Sequence, residues 1–244
     1  DKLGELLRVL ERTGLLEDTL VVFTADHGDM MGERGMWYKQ TFFEHSTRIP
    51  LVFAGPGIPK GKVVERNVSL VDLMPTLLSA ADEGRVDVVT PLDGHDLSTL
   101  MTGDGAGWDD CVVSEYSDMG VCAPCRMVRE GAWKYVYTHG HPPMLFDLSA
   151  DPLEHRNLCG QARVAAVEQR LRTKVLSGWD PEGMNERILE SQAGRQLIWS
   201  VVKEDSVRDN WSAVVRNGDK RRFVRGGGDA EGTAMVKGRA RFPY

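Results

Sequence analysis

Three side chains that can bind a metal cation lie close together in the sequence: Asp26, His27 and Asp29, in the stretch Thr24-Ala-Asp-His-Gly28-Asp. Carboxylate oxygens bind hard cations such as calcium or magnesium, and a neutral imidazole also suits manganese or zinc. Two adjacent ligands can face one ion only where the backbone is irregular, as at a strand end followed by glycine. These residues could instead be a helix N-cap and a loop histidine, so the stretch alone leaves both interpretations open.

The elements before this stretch place it at the edge of a sheet. Four leucines within residues 1–10 recur with helical spacing and predict an amphipathic helix. Residues 19–24 then form a nearly continuous apolar run, which predicts a central strand of a parallel sheet, buried on both faces. Ligands of open α/β sheets bind beyond the carboxyl ends of strands. Asp26 and His27 are therefore expected where such sheets carry out chemistry.

The flanking motifs resemble those of the sulfatase family, within the alkaline-phosphatase-like superfamily. They are, in order, residues 19–28, Gly32-Glu-Arg-Gly35, Lys39 and Glu44-His-Ser-Thr-Arg-Ile-Pro50. The resemblance implies an alkaline-phosphatase-like α/β fold, of which this chain supplies the C-terminal part of the main sheet. It also implies that Asp26 and His27 bind the catalytic divalent metal, with calcium expected and magnesium or manganese as alternatives.

The resemblance gives Lys39 a catalytic and substrate-binding role, in contact with the sulfate group. A cation there is physically sensible because charge builds on the sulfuryl oxygens in the transition state. The alternative is a surface lysine. Glu44 and Arg48 lie four apart on a predicted helical turn, so we expect them to pair and to act structurally.

The second half of the chain resembles choline-sulfatase-type enzymes. The motifs are Ser114-Glu-Tyr116, Ala123-Pro-Cys-Arg126, Trp133-Lys-Tyr135, Pro142-Pro-Met-Leu-Phe-Asp-Leu148 and Asp151-Pro-Leu-Glu154, with a looser match at the closing Arg241-Phe-Pro243. The resemblance implies a small-molecule sulfate ester as substrate, choline sulfate among the candidates. Glu115 could then reach the pocket and hold a quaternary ammonium, which acids and aromatic faces bind. A solvent-facing strand residue is the equal alternative.

Cys122-Ala-Pro-Cys-Arg126 matches the letters of the Cys-x-Pro-x-Arg motif from which sulfatases make their formylglycine nucleophile. In the family that motif lies upstream of the metal-binding pair and at a helix N-terminus. Here it lies downstream and enters a predicted strand, so we interpret the match as coincidence. The formylglycine, the early aspartates of the metal site and the general acid are then expected before residue 1, and this chain alone is expected to be inactive.

Two other functions stay open. A phosphonate or phosphate monoester hydrolase of the same superfamily would use the same metal and nucleophile on a different tetrahedral group. A truncated, non-catalytic module for oligomerisation or binding would instead use the tail after Trp179, where Trp199 and Trp211 could pack on a neighbouring subunit. A homo-oligomer is the expected assembly.

The predicted organisation has three parts. Residues 1–108 are the C-terminal part of the catalytic α/β domain, and Ser69-Leu-Val-Asp72 predicts a capping box that opens a helix. Residues 109–178 alternate as short strands and predict a small antiparallel sheet with one helix, near 161–176. Residues 179–244 are a choline-sulfatase-like extension with a helix near 185–198.

Composition narrows the functional class. The net charge of −6 argues against a general nucleic-acid binder, because such proteins show a basic face. No apolar run reaches the roughly 18 residues of a membrane span, so no membrane partner is expected. Four cysteines in 244 residues do not make a disulfide framework, and Cys122-x-x-Cys125 lacks a second pair for zinc. Reduced thiols and a cytoplasmic location are the expectation.

Overall fold

The computed structural model describes residues 1–82, 88–117 and 120–202. Contacts group the chain into two compact units, Asp1–Glu182 and Gly183–Tyr244. The elements are, in chain order, α1 (Lys2–Thr13), β1 (Val21–Thr24), β2 (Met30–Met31), β3 (Trp37–Tyr38), α2 (Glu44–Thr47), β4 (Leu51–Ala54), α3 (Leu73–Asp82), α4 (Ser98–Thr102), β5 (Cys111–Tyr116), β6 (Cys125–Glu130), β7 (Trp133–Thr138), β8 (Met144–Asp147), α5 (Ala165–Leu176) and α6 (Pro181–Val202). The three-part division at residues 108 and 178 stays a prediction.

The antiparallel sheet predicted for the second half is confirmed. Its strands are ordered β5-β6-β7-β8, and each pairs antiparallel with its neighbour in the sequence. Glu130 pairs with Trp133 across the tight Gly131-Ala132 link. The sequence predicts this sheet because short strands joined by turn residues pair with their neighbours along the chain.

Both faces of this sheet are covered. On one face, Val128, Tyr135 and Leu145 pack against α5. On the other face, Met127 and Val136 pack against Phe42, which comes from the segment that follows Lys39. The sheet therefore supports the loop that carries one of the candidate site residues.

Strand β1 differs from its prediction. It pairs antiparallel with β4, with Val21 opposite Ala54 and Thr24 opposite Leu51. The predicted parallel pairing is wrong for this neighbour. Parallel strands are usually joined through a long α-helix, whereas the only α-helix between β1 and β4 is the four-residue α2. Phe23 is also 45% exposed, so within the described residues β1 is not buried on both faces as predicted.

Several smaller predictions are confirmed. Asp72 accepts the Ser69 backbone N–H at 2.7 Å and completes the capping box before α3. Helices α5 and α6 confirm the two predicted helices, although α5 begins at Ala165, inside its predicted range, and α6 extends beyond its own. Trp211 and Arg241-Phe-Pro243, which the tail prediction used, lie outside the described residues. No helix in the described ranges is long and apolar enough to cross a membrane.

Candidate active site

Asp26 and His27 lie where the chain leaves β1. The His27 backbone N–H donates to Asp26 Oδ1 at 3.0 Å. His27 Nδ1 lies 2.8 Å from the Gly28 carbonyl oxygen, so Nδ1 carries the proton and donates it there. The lone pair of the ring is then on Nε2, and Asp26 Oδ2 lies 3.3 Å from that atom. One carboxylate oxygen and one imidazole nitrogen thus face the same small space.

This pair fits part of a metal coordination shell. Two bonds of about 2.3 Å at a right angle place their donor atoms about 3.3 Å apart, which matches the spacing of Asp26 Oδ2 and His27 Nε2. A hydrogen bond from the other ring nitrogen to a carbonyl is the usual way to orient a histidine ligand. Asp29 approaches the opposite ring edge, with Oδ1 4.0 Å from Nδ1. Across the described residues, no three His, Cys, Asp or Glu side chains group closely enough to hold an ion.

Lys39 joins the pair. Its Nζ lies 2.9 Å from His27 Nε2 and donates to the free lone pair. The loop that presents Lys39 is tightly turned, because Tyr38 has a φ of +69°, in the left-handed region. The structure therefore brings Asp26, His27 and Lys39 together, although twelve residues separate His27 from Lys39.

Ser46 is a site residue that the sequence analysis did not select. It is 3% exposed. Its hydroxyl donates to the Lys39 carbonyl oxygen at 2.8 Å, and its own carbonyl accepts the Gly28 N–H at 2.8 Å. One buried residue thus fixes both loops of the site. Its position inside the Glu44–Pro50 motif was the only signal in the sequence.

Gly28 has no room for a side chain, since a Cβ added there would lie 2.1 Å from the His45 carbonyl oxygen. We expect Gly28→Ala to lower the free energy of unfolding by about 1–3 kcal/mol, because the His45 backbone must move. Gly4→Ala is the matched control. It lies in α1 with only Arg8 Nη1 nearby, at 3.7 Å, so alanine should stabilise the helix by up to about 1 kcal/mol. Urea unfolding measures both, and equal effects would contradict the close approach.

A buried ionic cluster lies behind the Lys39 loop. Lys134 Nζ is 2.5 Å from Glu44 Oε1, 2.9 Å from Glu154 Oε1 and 2.9 Å from the Phe42 carbonyl oxygen. Glu154 Oε2 accepts the Glu44 backbone N–H at 2.7 Å, and Arg129 Nη1 donates to Glu44 Oε2 at 2.9 Å. Lys134 is 0% exposed and Glu154 2%. The positive charges of Lys134 and Arg129 balance the negative charges of Glu44 and Glu154. These contacts hold the segment after Lys39 against the sheet.

Glu44 has the structural role that was predicted, but with different partners. It pairs with Lys134 and Arg129 rather than chiefly with Arg48, which contributes a further charge interaction. Burial by itself raises the pKa of Glu44, but the Lys134 ammonium and the neighbouring guanidinium groups outweigh it and hold that pKa below its ordinary 4.5. The stabilisation is therefore complete above that value and is lost as the pH falls through the lowered pKa.

Arg34 makes a second attachment between the site loops and the second half of the chain. Its guanidinium lies over the Phe43 ring, 4.1 Å from the centroid. It also donates to the carbonyl oxygens of Leu153 and Glu154, at 2.9 Å for Leu153. Since Arg34 lies between His27 and Lys39 in the sequence, this contact limits how the loop joining them can move.

Glu115 and the Cys122-Ala-Pro-Cys-Arg126 motif, both in the second half of the chain, are distant in sequence from Asp26, His27 and Lys39. Glu115 on β5 is 45% exposed and pairs with Arg126, Oε1 to Nε, at 3.1 Å. Cys122 is exposed, and its motif enters β6, which begins at Cys125. The motif leads into a strand and does not open a helix. The interpretation of a coincidental match requires this absence of a helix.

The sequence of this chain matches those of known sulfatases. A family model described as Sulfatase matches residues 1–83. A choline-sulfatase from Rhizobium meliloti (strain 1021) is 40% identical over 206 residues, which cover 83% of this chain and 40% of that protein. The chain belongs to the sulfatase family.

Two further similarities bear on this sulfatase-family chain. Arylsulfatase K of Gallus gallus is 40% identical over 169 residues, which cover 64% of this chain and 30% of that protein. The crystal structure of the phosphonate monoester hydrolase of Agrobacterium radiobacter superposes with a TM-score of 0.63 and 35% identity, over 72% of this chain and 38% of that chain. The predicted alkaline-phosphatase-like fold is therefore confirmed, and the chain spans less than half the length of these relatives.

Proposed function

We propose that this chain is the C-terminal part of a longer enzyme that hydrolyses sulfate monoesters, with Asp26 and His27 as metal ligands and Lys39 as the sulfate contact. The observation that carries the proposal is the meeting of Asp26 Oδ2, His27 Nε2 and Lys39 Nζ at the end of β1. Relatives named choline-sulfatase and arylsulfatase K support the sulfate chemistry. Calcium is the proposed ion, with magnesium and manganese as alternatives.

The contact between His27 and Lys39 indicates a separate role for each residue. A divalent cation, when bound, supplies Lewis-acid chemistry at the ester oxygens. His27 Nε2 has one lone pair, and the Lys39 ammonium occupies it in this structure. A metal ion held by Nε2 would take this lone pair, so Lys39 would not bond to His27 in the metal-loaded site. The freed ammonium can then stabilise the charge that develops on the sulfuryl oxygens.

The remaining groups are proposed to lie outside this chain. The formylglycine nucleophile, the general acid and the other metal ligands would come from residues N-terminal to Asp1. Asp26 and His27 provide only two donors, which is fewer than the six to eight oxygens of a calcium site. We therefore expect the isolated chain to be inactive.

Choline sulfate is the proposed substrate, and Glu115 the proposed contact for its quaternary ammonium. The half-exposed carboxylate of Glu115 is paired with Arg126, so a cationic substrate would compete with Arg126 for it. A homo-oligomer in the cytoplasm, without nucleic-acid or membrane partners, is part of the same proposal, and the net charge of −6 supports the exclusion of nucleic acid.

The alternative substrate is a phosphonate or phosphate monoester. The 35% identity to a phosphonate monoester hydrolase favours it. Metal and lysine would serve equally well there, since both groups are tetrahedral and anionic. A non-catalytic oligomerisation module is the third hypothesis.

The test compares substrates on the full-length protein loaded with calcium: choline sulfate, 4-nitrophenyl sulfate and a phenyl phosphonate monoester. We expect kcat/KM for a sulfate ester to exceed that for the phosphonate by at least about tenfold. Glu115→Gln should raise KM for choline sulfate by about tenfold and leave 4-nitrophenyl sulfate nearly unchanged, because only choline presents a cation.

Each hypothesis has its own contrary result. Faster hydrolysis of the phosphonate would establish the alternative substrate, and equal KM changes for both sulfates would remove Glu115 from the pocket. No turnover by the metal-loaded full-length protein would favour the non-catalytic module. The isolated chain is the negative control, and hydrolysis by it that Cys122→Ala abolishes would place the nucleophile inside this chain.

A further inference from the structure

The Cys122-Ala-Pro-Cys-Arg126 motif has no part in the proposed hydrolysis, yet it carries an unusual thiol. Of the four cysteines, all of them within the described residues, Cys122 alone is exposed. Its Sγ lies 3.2 Å from His141 Nε2. An imidazole at that distance can take the thiol proton and stabilise the thiolate, which is the reactive form of cysteine.

Backbone contacts hold this pair in place. The His139 N–H donates to the Pro124 carbonyl oxygen at 3.0 Å, and the His141 N–H donates to the Thr138 carbonyl oxygen at 3.1 Å. Pro124 is fully buried. The turn after β7 and the loop before β6 are therefore joined, and the thiol and imidazole extend from this joint.

The other three cysteines are poorly suited to reaction. Burial raises the pKa of Cys125 to about 11 and that of Cys159 to about 12, and it also raises the pKa of Cys111. Cys125 Sγ additionally donates to the Tyr116 carbonyl oxygen at 3.0 Å. A reagent that selects exposed thiolates should therefore distinguish Cys122 from all three.

A cleft next to the pair can seat a small molecule. It has a volume of about 500 Å³, and its wall includes His141, Tyr137, Glu168 and Arg172. Arg172 places a guanidinium on the wall, where it can attract a carboxylate. The cleft shares His141 with the thiol pair, so a molecule bound in it can contact the residue that takes the thiol proton.

We propose that Cys122 and His141 form a reactive thiol site, reversibly modified by small anionic disulfides that bind in the neighbouring cleft. His141 Nε2 takes the Cys122 proton, and the sulfur attacks one sulfur of the disulfide. The S–S bond breaks, and the leaving thiolate takes the proton from the imidazolium. One thiol and one disulfide thus give a mixed disulfide and a thiol, with no further oxidant.

The site is separate from the proposed hydrolysis but physically close to its lysine loop. Gly120, two residues before Cys122, lies against the side chain of Gln40, which follows Lys39. A Cβ added at Gly120 would lie 3.2 Å from Gln40 Cγ. An adduct on Cys122 would therefore be attached to a loop that touches the candidate active site.

The test maps the modified cysteines of the purified, reduced chain by peptide mass spectrometry, after iodoacetamide or glutathione disulfide. We expect Cys122 to react at least about tenfold faster than the other three, because it alone is exposed and has an imidazole beside its sulfur.

Variants separate the two parts of the proposal. His141→Gln should slow both reagents at neutral pH by about fivefold, whereas His155→Gln, an exposed histidine elsewhere, should change neither. Arg172→Gln should slow glutathione disulfide by about threefold and leave neutral iodoacetamide unchanged.

Three outcomes would overturn the site. They are a rate at Cys122 no higher than at the other three cysteines, rates at Cys122 that do not respond to His141→Gln, and formylglycine instead of cysteine at residue 122 of the purified protein. The comparison of the four cysteines within the wild-type protein decides the matter even if His141→Gln fails to fold.

Discussion

Asp26→Asn is expected to weaken calcium binding by at least about 100-fold and to lower kcat/KM for sulfate esters by about 10³-fold in the full-length protein. Asparagine keeps the shape of the side chain but replaces an anionic oxygen with a neutral one. That change removes the negative charge from one of the two donors that face a common space, Asp26 Oδ2 and His27 Nε2, 3.3 Å apart. Calorimetric titration with calcium gives the affinity, and steady-state kinetics give the activity.

Asp29→Asn is the matched control for this experiment. Its carboxylate lies near the opposite edge of the imidazole, 4.0 Å from Nδ1, so its loss should change calcium affinity by no more than about threefold. If Asp26→Asn and Asp29→Asn had equal effects, the assignment of Asp26 as a ligand would be wrong. Calcium affinity is measured separately from turnover. The experiment can therefore contradict the proposed metal site and still support the proposed sulfate hydrolysis.

Lys134→Met is expected to lower the free energy of unfolding by about 3–5 kcal/mol. Methionine fills a similar volume but leaves the carboxylates of Glu44 and Glu154 without the ammonium between them. Glu154 is only 2% exposed, so water cannot replace the lost partner. Urea unfolding followed by tryptophan fluorescence measures the change.

Two further variants sharpen this prediction. Lys60→Met removes an exposed lysine and should change stability by no more than about 0.5 kcal/mol. Adding Glu154→Gln to Lys134→Met should recover part of the loss, because one uncompensated charge disappears. A Lys134→Met effect close to that of Lys60→Met would show that the buried ion pairs contribute little.

Local sequence patterns determined most of the elements. Alternating strands with tight links predicted β5 to β8, and Ser69 with Asp72 predicted a capping box, because each pattern is completed by residues close in sequence. The position of Asp26 and His27 after β1 was readable for the same reason. The antiparallel pairing of β1 with β4 could not be predicted in this way, because an apolar run does not show whether its partner strand is parallel or antiparallel.

Contacts between distant residues were decided by the tertiary structure alone. Lys134 is 92 residues from Phe42 in sequence, yet it bonds to that carbonyl oxygen, and nothing near Lys134 in the sequence shows that its strand position is buried. Cys122 and His141 are 19 residues apart and meet because two turns join.

The sequence by itself predicted a site at Asp26, His27 and Lys39, because strand ends and family motifs are local. Only the folded chain showed that Lys39 occupies the lone pair of His27 and that Ser46 fixes both loops. Hydrogen bonds depend on atomic distances in space, and those distances are set only when the sheet, its ionic cluster and the site loops pack together.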